Sequence, residues 1–362
     1  MYCNFHFSTS MKLKNDFIQA LLREISLRKD YLQNENIETI YFGGGSPSLL
    51  DTSEVDLILT HLHQHFRIEQ NVEITLEANP DDITTERAKQ WKNIGVNRLS
   101  LGVQSFHEED LKWMNRAHSA EQSRKSIEAV QSAGFSNLTI DLIYGTPTLS
   151  DQKWKANVDL AIKLNIPHLS CYALTVEART ALQKLISQNK MQQVDSEQQA
   201  RQFLLLIDWI EANGYEQYEI SNFAKPRMRS RHNTSYWQQK KYLGLGPSAH
   251  SFNIDSRQWN IANNALYISS MMNGLPSTEI EILTPSQRLN EYIMTSLRTS
   301  DGMDLRFVSN NFGKETMLDL EKQLNKFEKN GNLVRTGERV RLTRNGKLFA
   351  DGIASDLFFE NA

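Results

Sequence analysis

The sequence predicts an α/β protein: a partial TIM-like (β/α) barrel followed by a small C-terminal winged-helix-like domain. The first observation is that short β-rich runs alternate with amphipathic helical segments between about residues 12 and 221, as in parallel βα units. The second is that polar residues recur at the ends of successive strands, at Glu77, Gln104 and Asp141. In a βα barrel those strand ends face the active site, whereas an open sheet concentrates its ligand contacts at one switch point. The polar strand ends therefore favour a barrel.

The predicted elements of the barrel follow in order. A first helix covers about residues 16–32, where Phe17, Leu21, Ile25 and Leu32 recur at helical spacing. A strand at 39–42 runs into three glycines, and a helix over about 52–66 follows, with a cap available from Asp51, Thr52 or Ser53. Five further strands are each preceded by a helical stretch, at 72–77, 97–101, 138–144, 168–172 and 216–220.

The composition changes from about residue 222. Residues 225–232 are basic and contain Pro226, which predicts a loop. A helix is predicted from Pro285 to residue 298, another over 315–330, and a hairpin from the runs 333–335 and 340–342. These patterns predict a barrel over 1–221, a connecting region over 222–282 and a winged-helix-like domain over 283–362.

Charge and cysteine content exclude several classes of protein. The chain has 40 basic and 43 acidic residues, a net charge of −3, and residues 283–362 carry 12 Lys/Arg against 11 Asp/Glu. Nucleic-acid binding is therefore not expected, because affinity for a phosphate backbone needs a marked basic excess. No run approaches the ~18 apolar residues of a membrane helix. The only cysteines are Cys3 and Cys171, which predicts a reducing, cytoplasmic compartment and no disulfide framework.

A glycine-rich turn, Gly43-Gly44-Gly45-Ser46-Pro47-Ser48, directly follows a predicted strand. Glycines let the backbone approach a ligand and expose its N–H and C=O groups, so the turn could hold a phosphate, a carboxylate or an ammonium group. An ordinary strand-to-helix turn explains it equally well. The lysine of a phosphate-binding P-loop is missing, which disfavours a nucleotide triphosphatase.

The strand-end residues Glu77, Gln104 and Asp141, with Arg116 nearby in sequence, predict a polar ligand pocket. A buried carboxylate needs a partner, because unpaired burial costs several kcal/mol. Each residue alone is more simply a satisfied structural cap. The set of four is more typical of a ligand site.

A third block, Arg231-His232-Asn233-Thr234-Ser235-Tyr236-Trp237, combines a histidine with two aromatic residues. His232 could bind a metal through a neutral imidazole nitrogen, and Tyr236 and Trp237 could stack on a flat ligand. Arg227, Arg229 and Arg231 could pair with carboxylates. The alternative is that His232 bonds a backbone carbonyl and the arginines are solvated, and the residues alone slightly favour that alternative.

These motifs, in this order, resemble the family of radical S-adenosylmethionine (SAM) proteins that contains the HemN-type coproporphyrinogen III dehydrogenases and the HemW-type haem chaperones. The resemblance runs along nearly the whole chain. It rests on six blocks in register: Tyr-Phe-Gly-Gly-Gly-Ser-Pro-Ser at 41–48, Leu-Glu-Ala-Asn-Pro at 76–80, Asn-Arg-Leu-Ser-Leu-Gly-Val-Gln-Ser-Phe at 97–106, Asn-Arg-Ala-His at 115–118, Asp-Leu-Ile-Tyr-Gly-Thr-Pro at 141–147 and Tyr-Ala-Leu-Thr-Val-Glu at 172–177.

The resemblance implies a partial barrel of the radical SAM type that binds SAM and a 4Fe–4S cluster. By implication, Gly44, Gly45 and Ser46 line the methionine end of SAM. The rest of SAM would then be contacted by Glu77, Gln104, Arg116 and Asp141.

Two features of the sequence point to the HemW-type branch. Phe5 stands where the dehydrogenases have a further cysteine, and His-Asn-x-x-Tyr-Trp at 232–237 resembles the haem-binding signature of the chaperones. The implied function is to bind haem at His232 and to pass it to a haem-requiring acceptor protein, with the cluster and SAM regulating transfer or dimerisation. Homodimer formation and at most peripheral membrane contact stay open. The alternative is oxidative decarboxylation of coproporphyrinogen III by a SAM-derived radical.

The chain departs from the family at its cluster motif. The family holds the cluster with three cysteines in a C-x-x-x-C-x-x-C run, and Cys3 matches the third of them. One thiolate cannot hold a 4Fe–4S cluster, and Cys171 reads as a small buried side chain. We therefore expect an N-terminally truncated copy, without the first barrel strand and without SAM-cleaving activity. A genuine cluster-less paralogue is the rival interpretation.

Overall fold

The computed structural model describes residues 11–276 and 278–360, and its centre is a seven-stranded sheet. The strand order is β1-β2-β3-β4-β5-β7-β6. Strands β1 to β5 pair in parallel, whereas β7 is antiparallel to both β5 and β6. The seven strands are β1 (Ile37–Phe42), β2 (Ile68–Ala78), β3 (Arg98–Gln104), β4 (Leu138–Tyr144), β5 (His168–Ala173), β6 (Glu216–Gln217) and β7 (Asn222–Ala224).

The two faces of this sheet differ in polarity because side chains alternate along each strand. In β3, Leu99, Leu101 and Val103 belong to the main hydrophobic core, and Arg98 and Ser100 point to the other face. Strand β4 repeats the pattern, with Leu138, Ile140 and Leu142 in the core and Thr139 and Asp141 opposite. A sheet buried on two apolar faces would show a continuous apolar run. The polar face therefore marks the side on which a ligand site is built.

Helices that connect the parallel strands cover the apolar face. Trp91 on α3, Ile127 on α5 and Trp154 on α6 are fully buried in the same core as the strands. Two of these helices begin with a capping box, Asp51 with Glu54 and Ser119 with Gln122. The helices up to β6 are α1 (Lys14–Leu27), α2 (Thr52–His65), α3 (Thr85–Asn93), α4 (Glu108–Trp113), α5 (Ala120–Ser132), α6 (Asp151–Lys163), α7 (Ala181–Ser187) and α8 (Ser196–Glu211).

The connecting region contains a small three-stranded sheet of order β10-β9-β8 and two helices. The fully buried carboxylate of Glu24 on α1 anchors it, accepting hydrogen bonds from Gly246 N–H (2.8 Å), Asn260 Nδ2 (2.7 Å) and the Tyr267 hydroxyl (2.6 Å). The elements are α9 (Arg231–Trp237), β8 (His250–Phe252), β9 (Ser256–Asn260), α10 (Asn264–Met272) and β10 (Thr278–Ile282).

The C-terminal part has its own core and the helix-and-hairpin order of the predicted winged-helix-like domain. Leu289, Leu320 and Val340 lie in a second cluster of buried residues, separate from the barrel core. A three-stranded antiparallel sheet of order β11-β13-β12 packs on the helices. The elements are α11 (Pro285–Leu297), β11 (Met303–Asp304), α12 (Leu305–Phe312), α13 (Lys314–Lys329), β12 (Leu333–Thr336), β13 (Arg339–Leu342) and α14 (Ala350–Asp356).

Several predicted elements differ from the structure in their bounds. Helix α1 ends at Leu27, five residues early, and Gln33 and Asn34 adopt left-handed backbone conformations in the turns that follow. The strand predicted at 216–220 is only the two residues of β6, because the chain reverses into the antiparallel strand β7. The loop predicted at 225–232 ends at Ser230, because α9 begins at Arg231. Within the described ranges, no helix is long and apolar enough to cross a membrane.

Candidate functional site

A cavity opens on the polar face of the sheet where β2 and β3 end. Six of the seven residues predicted to contact SAM line it, namely Gly45, Ser46, Glu77, Gln104, Arg116 and Asp141. The seventh, Gly44, donates its backbone N–H to Glu77 Oε2 at 3.2 Å. Asp141 is the fourth of the seven residues of β4 and so lies within the strand rather than at its end. Parallel strands bring these distant positions together at one edge of the sheet.

The glycine-rich turn forms one wall of the cavity. Gly44 and Gly45 have φ angles of +75° and +63°, the left-handed region that favours glycine. A Cβ atom at Gly43 would lie 2.6 Å from Cε1 of Tyr41 and 3.1 Å from Oε1 of Glu77. The turn can therefore lie against both side chains only because residue 43 is a glycine.

The opposite wall is formed by Gln104 and Arg116. Gln104 also has a left-handed backbone, with φ +66°, at a register shift between β3 and β4. Arg116 donates from Nη2 to Asn79 Oδ1 (2.9 Å) and to the Gly102 carbonyl (3.2 Å), whereas its buried Nε has no partner among the described residues. A buried donor without an acceptor costs about 1–3 kcal/mol, so a ligand that supplies a carboxylate or carbonyl oxygen would be favoured there.

Two carboxyl groups give the cavity its electrostatic character. Burial raises the pKa of Asp141 from 3.8 to about 7, and the neighbouring charge of Glu77 raises it further in the same direction. Burial also raises the pKa of Glu77, although hydrogen bonds from Tyr41 and Gly44 oppose the increase. A bound cation would stabilise the ionised form of both carboxyl groups, which burial disfavours. The sulfonium of SAM supplies a positive charge and its amino-acid end supplies a carboxylate, so these residues fit SAM.

His232 lies in the first turn of α9, on the same face of the sheet as the cavity but beside β1. Its Nδ1 is 2.9 Å from Thr39 Oγ1, its ring stacks on Tyr41 with centroids 4.6 Å apart, and the ring of Tyr236 packs edge-on at 5.0 Å. Burial, and secondarily the charge of Arg98, lowers the pKa of His232 to about 4. The imidazole is therefore neutral near pH 7, the form that binds metals.

The start of α9 is fixed by a residue of the barrel. The carboxylate of Glu73 on β2 accepts hydrogen bonds from the backbone N–H groups of Arg231 (3.2 Å) and His232 (3.0 Å), and Ser230 caps Asn233 N–H. A carboxylate at this position satisfies free N–H groups and interacts favourably with the helix dipole. The ring nitrogen Nε2 of His232 makes no hydrogen bond to the described residues, which leaves it available as a ligand.

Two of the three arginines proposed as partners for carboxylates are already engaged. Arg229 pairs with Glu216 at 3.1 Å and lies over the ring of Tyr218, and Arg231 pairs with Glu69 at 3.2 Å. Arg227 is exposed, has φ +67° and forms no ion pair with a described residue. Only Arg227 is therefore free to meet an anionic group of a ligand.

The predicted cluster ligand Cys3 lies outside the described residues. Cys171 on β5 is a buried free thiol, as expected, and burial raises its pKa. In the described part of the chain, no group of three or more His, Cys, Asp or Glu side chains is arranged to hold a metal ion.

Sequence reasoning missed three residues that connect these features: Thr39, Tyr41 and Glu73. Tyr41 donates a hydrogen bond of 2.6 Å to Glu77, and its ring also stacks on the ring of His232. Thr39 and Tyr41 are two apart on β1 and Glu73 and Glu77 are four apart on β2, so strand alternation places each pair on one face. That alternation was the available signal.

Comparison with known proteins identifies the relatives of this chain. The model of the radical SAM superfamily matches residues 1–161, and that of the HemN C-terminal domain matches residues 283–349. The "Heme chaperone HemW" of Lactococcus lactis subsp. lactis (strain IL1403) is 30% identical over 86% of this chain and 81% of its own length. The protein of the same name from Bacillus subtilis (strain 168) is 29% identical over 97% of this chain and 94% of its own length.

A solved structure has the same fold along almost the entire chain. Coproporphyrinogen III oxidase (HemN) from Escherichia coli, described as a radical SAM enzyme, superimposes with a TM-score of 0.83 over 99% of this chain and 86% of its own. The sequence identity is 20%, so the likeness concerns the fold.

Proposed function

We propose, from the premise that this chain belongs to the HemW family within the radical SAM superfamily, that it is a haem chaperone. It binds haem through His232 and passes it to a haem-requiring acceptor protein. The observation that carries the proposal is the state of His232, a neutral imidazole that is oriented through Nδ1 and whose Nε2 makes no hydrogen bond within the described part of the chain.

The residues around His232 suit the role of an iron ligand. The Thr39 hydroxyl oxygen can accept a hydrogen bond from Nδ1–H, and in that tautomer the lone pair is on Nε2. A hydrogen bond of this kind commonly orients a metal-binding histidine. Tyr236 is 40% exposed beside the ring and offers an aromatic surface to a flat macrocycle. Exposed Arg227 can pair with a propionate.

SAM and a 4Fe–4S cluster are the cofactors of the radical SAM superfamily. A bound cluster, for which Cys3 is the ligand implied by the sequence, would supply the iron–sulfur chemistry of the superfamily. In this chain, Glu77 and Asp141 give the cavity the negative charge that a sulfonium requires, and Arg116 Nε offers a donor to an oxygen of the ligand. Gly44 and Gly45 let the backbone approach the ligand closely.

An anaerobic haem titration followed by Soret absorbance tests the proposal. The wild-type chain should bind one haem, and His232→Ala should weaken binding by at least about tenfold because an axial ligand is lost. His63→Ala removes an exposed histidine of α2 and serves as the matched control, with wild-type affinity expected. Equal affinity of His232→Ala and wild type, or no saturable binding by the wild type, would contradict the proposal.

Transfer is measured by mixing the haem-loaded chain with the haem-free form of a haem-requiring enzyme and following the spectrum of the acceptor. The same preparation, given SAM and coproporphyrinogen III, should release no CO2. Decarboxylation that depends on SAM would instead support the alternative function, a coproporphyrinogen III dehydrogenase.

A further inference from the structure

Tyr41 is the one described side chain that contacts both a carboxylate of the SAM cavity and the ring of His232. Its hydroxyl donates to Glu77 Oε1 at 2.6 Å, and its ring stacks on His232 with an angle of 17° between the planes. Tyr41 stands on β1 directly before the glycine-rich turn. A movement of Glu77 can therefore be transmitted to His232 through the side chain of Tyr41.

On the cavity side, the two oxygens of Glu77 are both occupied. Oε1 accepts from Tyr41 and Oε2 accepts from the backbone of Gly44. A positively charged ligand in the cavity attracts this carboxylate and competes with the two protein donors. The hydrogen bond from Tyr41 is consequently weaker when the cavity is filled.

On the other side, the ring of His232 is enclosed. Tyr41 covers one face, Tyr236 packs against the edge and Thr39 holds Nδ1. A haem plane lies across the axis of the nitrogen that binds its iron, so its approach to Nε2 requires the neighbouring rings to give way. While Tyr41 is hydrogen-bonded to Glu77, its ring resists this displacement. When that hydrogen bond is broken, the ring can move.

We propose that Tyr41 is a positioning residue that couples the two sites, so that SAM bound against Glu77 raises the affinity of His232 for haem. Linkage makes the effect reciprocal, and bound haem raises the affinity for SAM by the same factor. The inference rests on the proposed function, since it concerns the same histidine. Tyr41 is then the route by which bound SAM changes the haem site and bound haem changes the SAM site.

The first test compares haem dissociation constants with and without saturating SAM. Wild type should bind haem about fivefold more tightly with SAM, at the lower end of typical allosteric couplings. Tyr41→Phe keeps the stacked ring and removes only the hydroxyl, so the factor should fall to about one. Tyr242→Phe removes a hydroxyl from the same aromatic cluster, which packs on Tyr236 at 4.7 Å, and should retain the wild-type factor. An unchanged factor in Tyr41→Phe overturns the proposal.

The second test needs neither ligand and separates this inference from the proposed function. The Cε1–Hε1 resonance of His232, assigned with His232→Asn, is recorded by NMR in the Glu77→Gln variant. Glu77→Gln should shift this resonance in the Tyr41 background and leave it in place in the Tyr41→Phe background. The same shift in both backgrounds overturns the coupling. A shift that depends on Tyr41, in a chain that does not bind haem, supports the coupling and contradicts the chaperone function.

Discussion

Asp141 and Glu77 face one cavity without a basic side chain that neutralises both. Arg116 and Arg98 both lower the pKa of Asp141, but the hydrogen bonds of Arg116 go to Asn79 and Gly102. A site with this residual negative charge costs free energy when it is empty and recovers it when a cation binds. At the scale of single residues, the cavity is therefore built for its ligand at the expense of the stability of the free protein.

Asp141→Asn tests this cost through its pH dependence. The folded pKa of about 7 lies above the ordinary 3.8, so the folded state holds a proton that the unfolded state loses between these values. Stability of the wild type therefore falls as the pH rises through this window and levels off above it. Asp141→Asn abolishes this contribution.

We expect Asp141→Asn to gain roughly 2 kcal/mol of unfolding free energy relative to wild type between about pH 5 and pH 8. Urea unfolding at the two values measures the change, and Asp159→Asn, at an exposed aspartate paired with Lys155, is the control. The same variant should bind SAM more weakly. If the unfolding free energies of Asp141→Asn and wild type differ by the same amount across this pH range, Asp141 does not titrate there.

Helix α9 shows at the scale of elements why the proposed haem-binding segment, residues 232–237, keeps its conformation. It has only seven residues, too few to be stable alone, and its first N–H groups are capped by Glu73 from a distant strand. Glu73 is almost fully buried and also balances the buried charge of Arg98. The conformation of the motif is therefore set by β2.

Glu73→Gln should loosen α9 while leaving the barrel folded. The amide is a weaker acceptor than a carboxylate and leaves Arg98 less well balanced, so we expect a loss of about 1–2 kcal/mol. Hydrogen exchange at residues 231–237 should be faster, with little change in β4 and β5. Glu69→Gln removes a partly buried partner of Arg231 on the same strand and should leave the exchange nearly unchanged. Equal protection of α9 in both variants would argue against the cap.

The sequence predicted the elements whose signal is local. Strand β4 has the predicted bounds, and α2 is displaced by one residue at its end. A polar pocket of Glu77, Gln104 and Asp141 was predicted from polar residues placed at the ends of successive strands. The resemblance to the radical SAM family added Gly44, Gly45 and Ser46 to that set. The cap of α9 was not predicted, because Glu73 and His232 are 159 positions apart and no local sequence pattern indicates their contact. The prediction of a loop at 225–232 was wrong at its last two residues for the same reason.

At the scale of the whole molecule, buried polar contacts join the parts. Glu24 of α1 is fully buried, and three donors of the connecting region converge on its carboxylate. In the C-terminal part, Arg344 pairs with Asp208 of α8 at 2.6 Å, and Lys347 donates to Gln217 of β6 at 2.7 Å. Composition does not reveal such contacts, since each partner is an ordinary polar residue in its own segment.

Arg298, directly after α11, extends these contacts to the proposed haem-binding segment. Its guanidinium lies 5.6 Å from the centroid of the Trp237 ring, the last residue of α9, and it forms an ion pair with Asp351 of α14. The C-terminal part therefore holds the far end of the helix whose near end is capped by the barrel. Both parts of the molecule set the position of His232.

Arg298→Ala should thus affect the proposed haem-binding segment although Arg298 lies in the C-terminal part. Loss of a partly buried cation–π contact costs about 1 kcal/mol, and Trp237 becomes more exposed, so its fluorescence should shift to longer wavelength. Arg298→Lys keeps a cation over the ring and should retain most of the stability and the emission maximum. Because Arg298 and Glu73 hold opposite ends of one short helix, the exchange rates of α9 should rise in Arg298→Ala at its last residues first. Faster exchange confined to α14 would instead mean that Arg298 serves only its pair with Asp351.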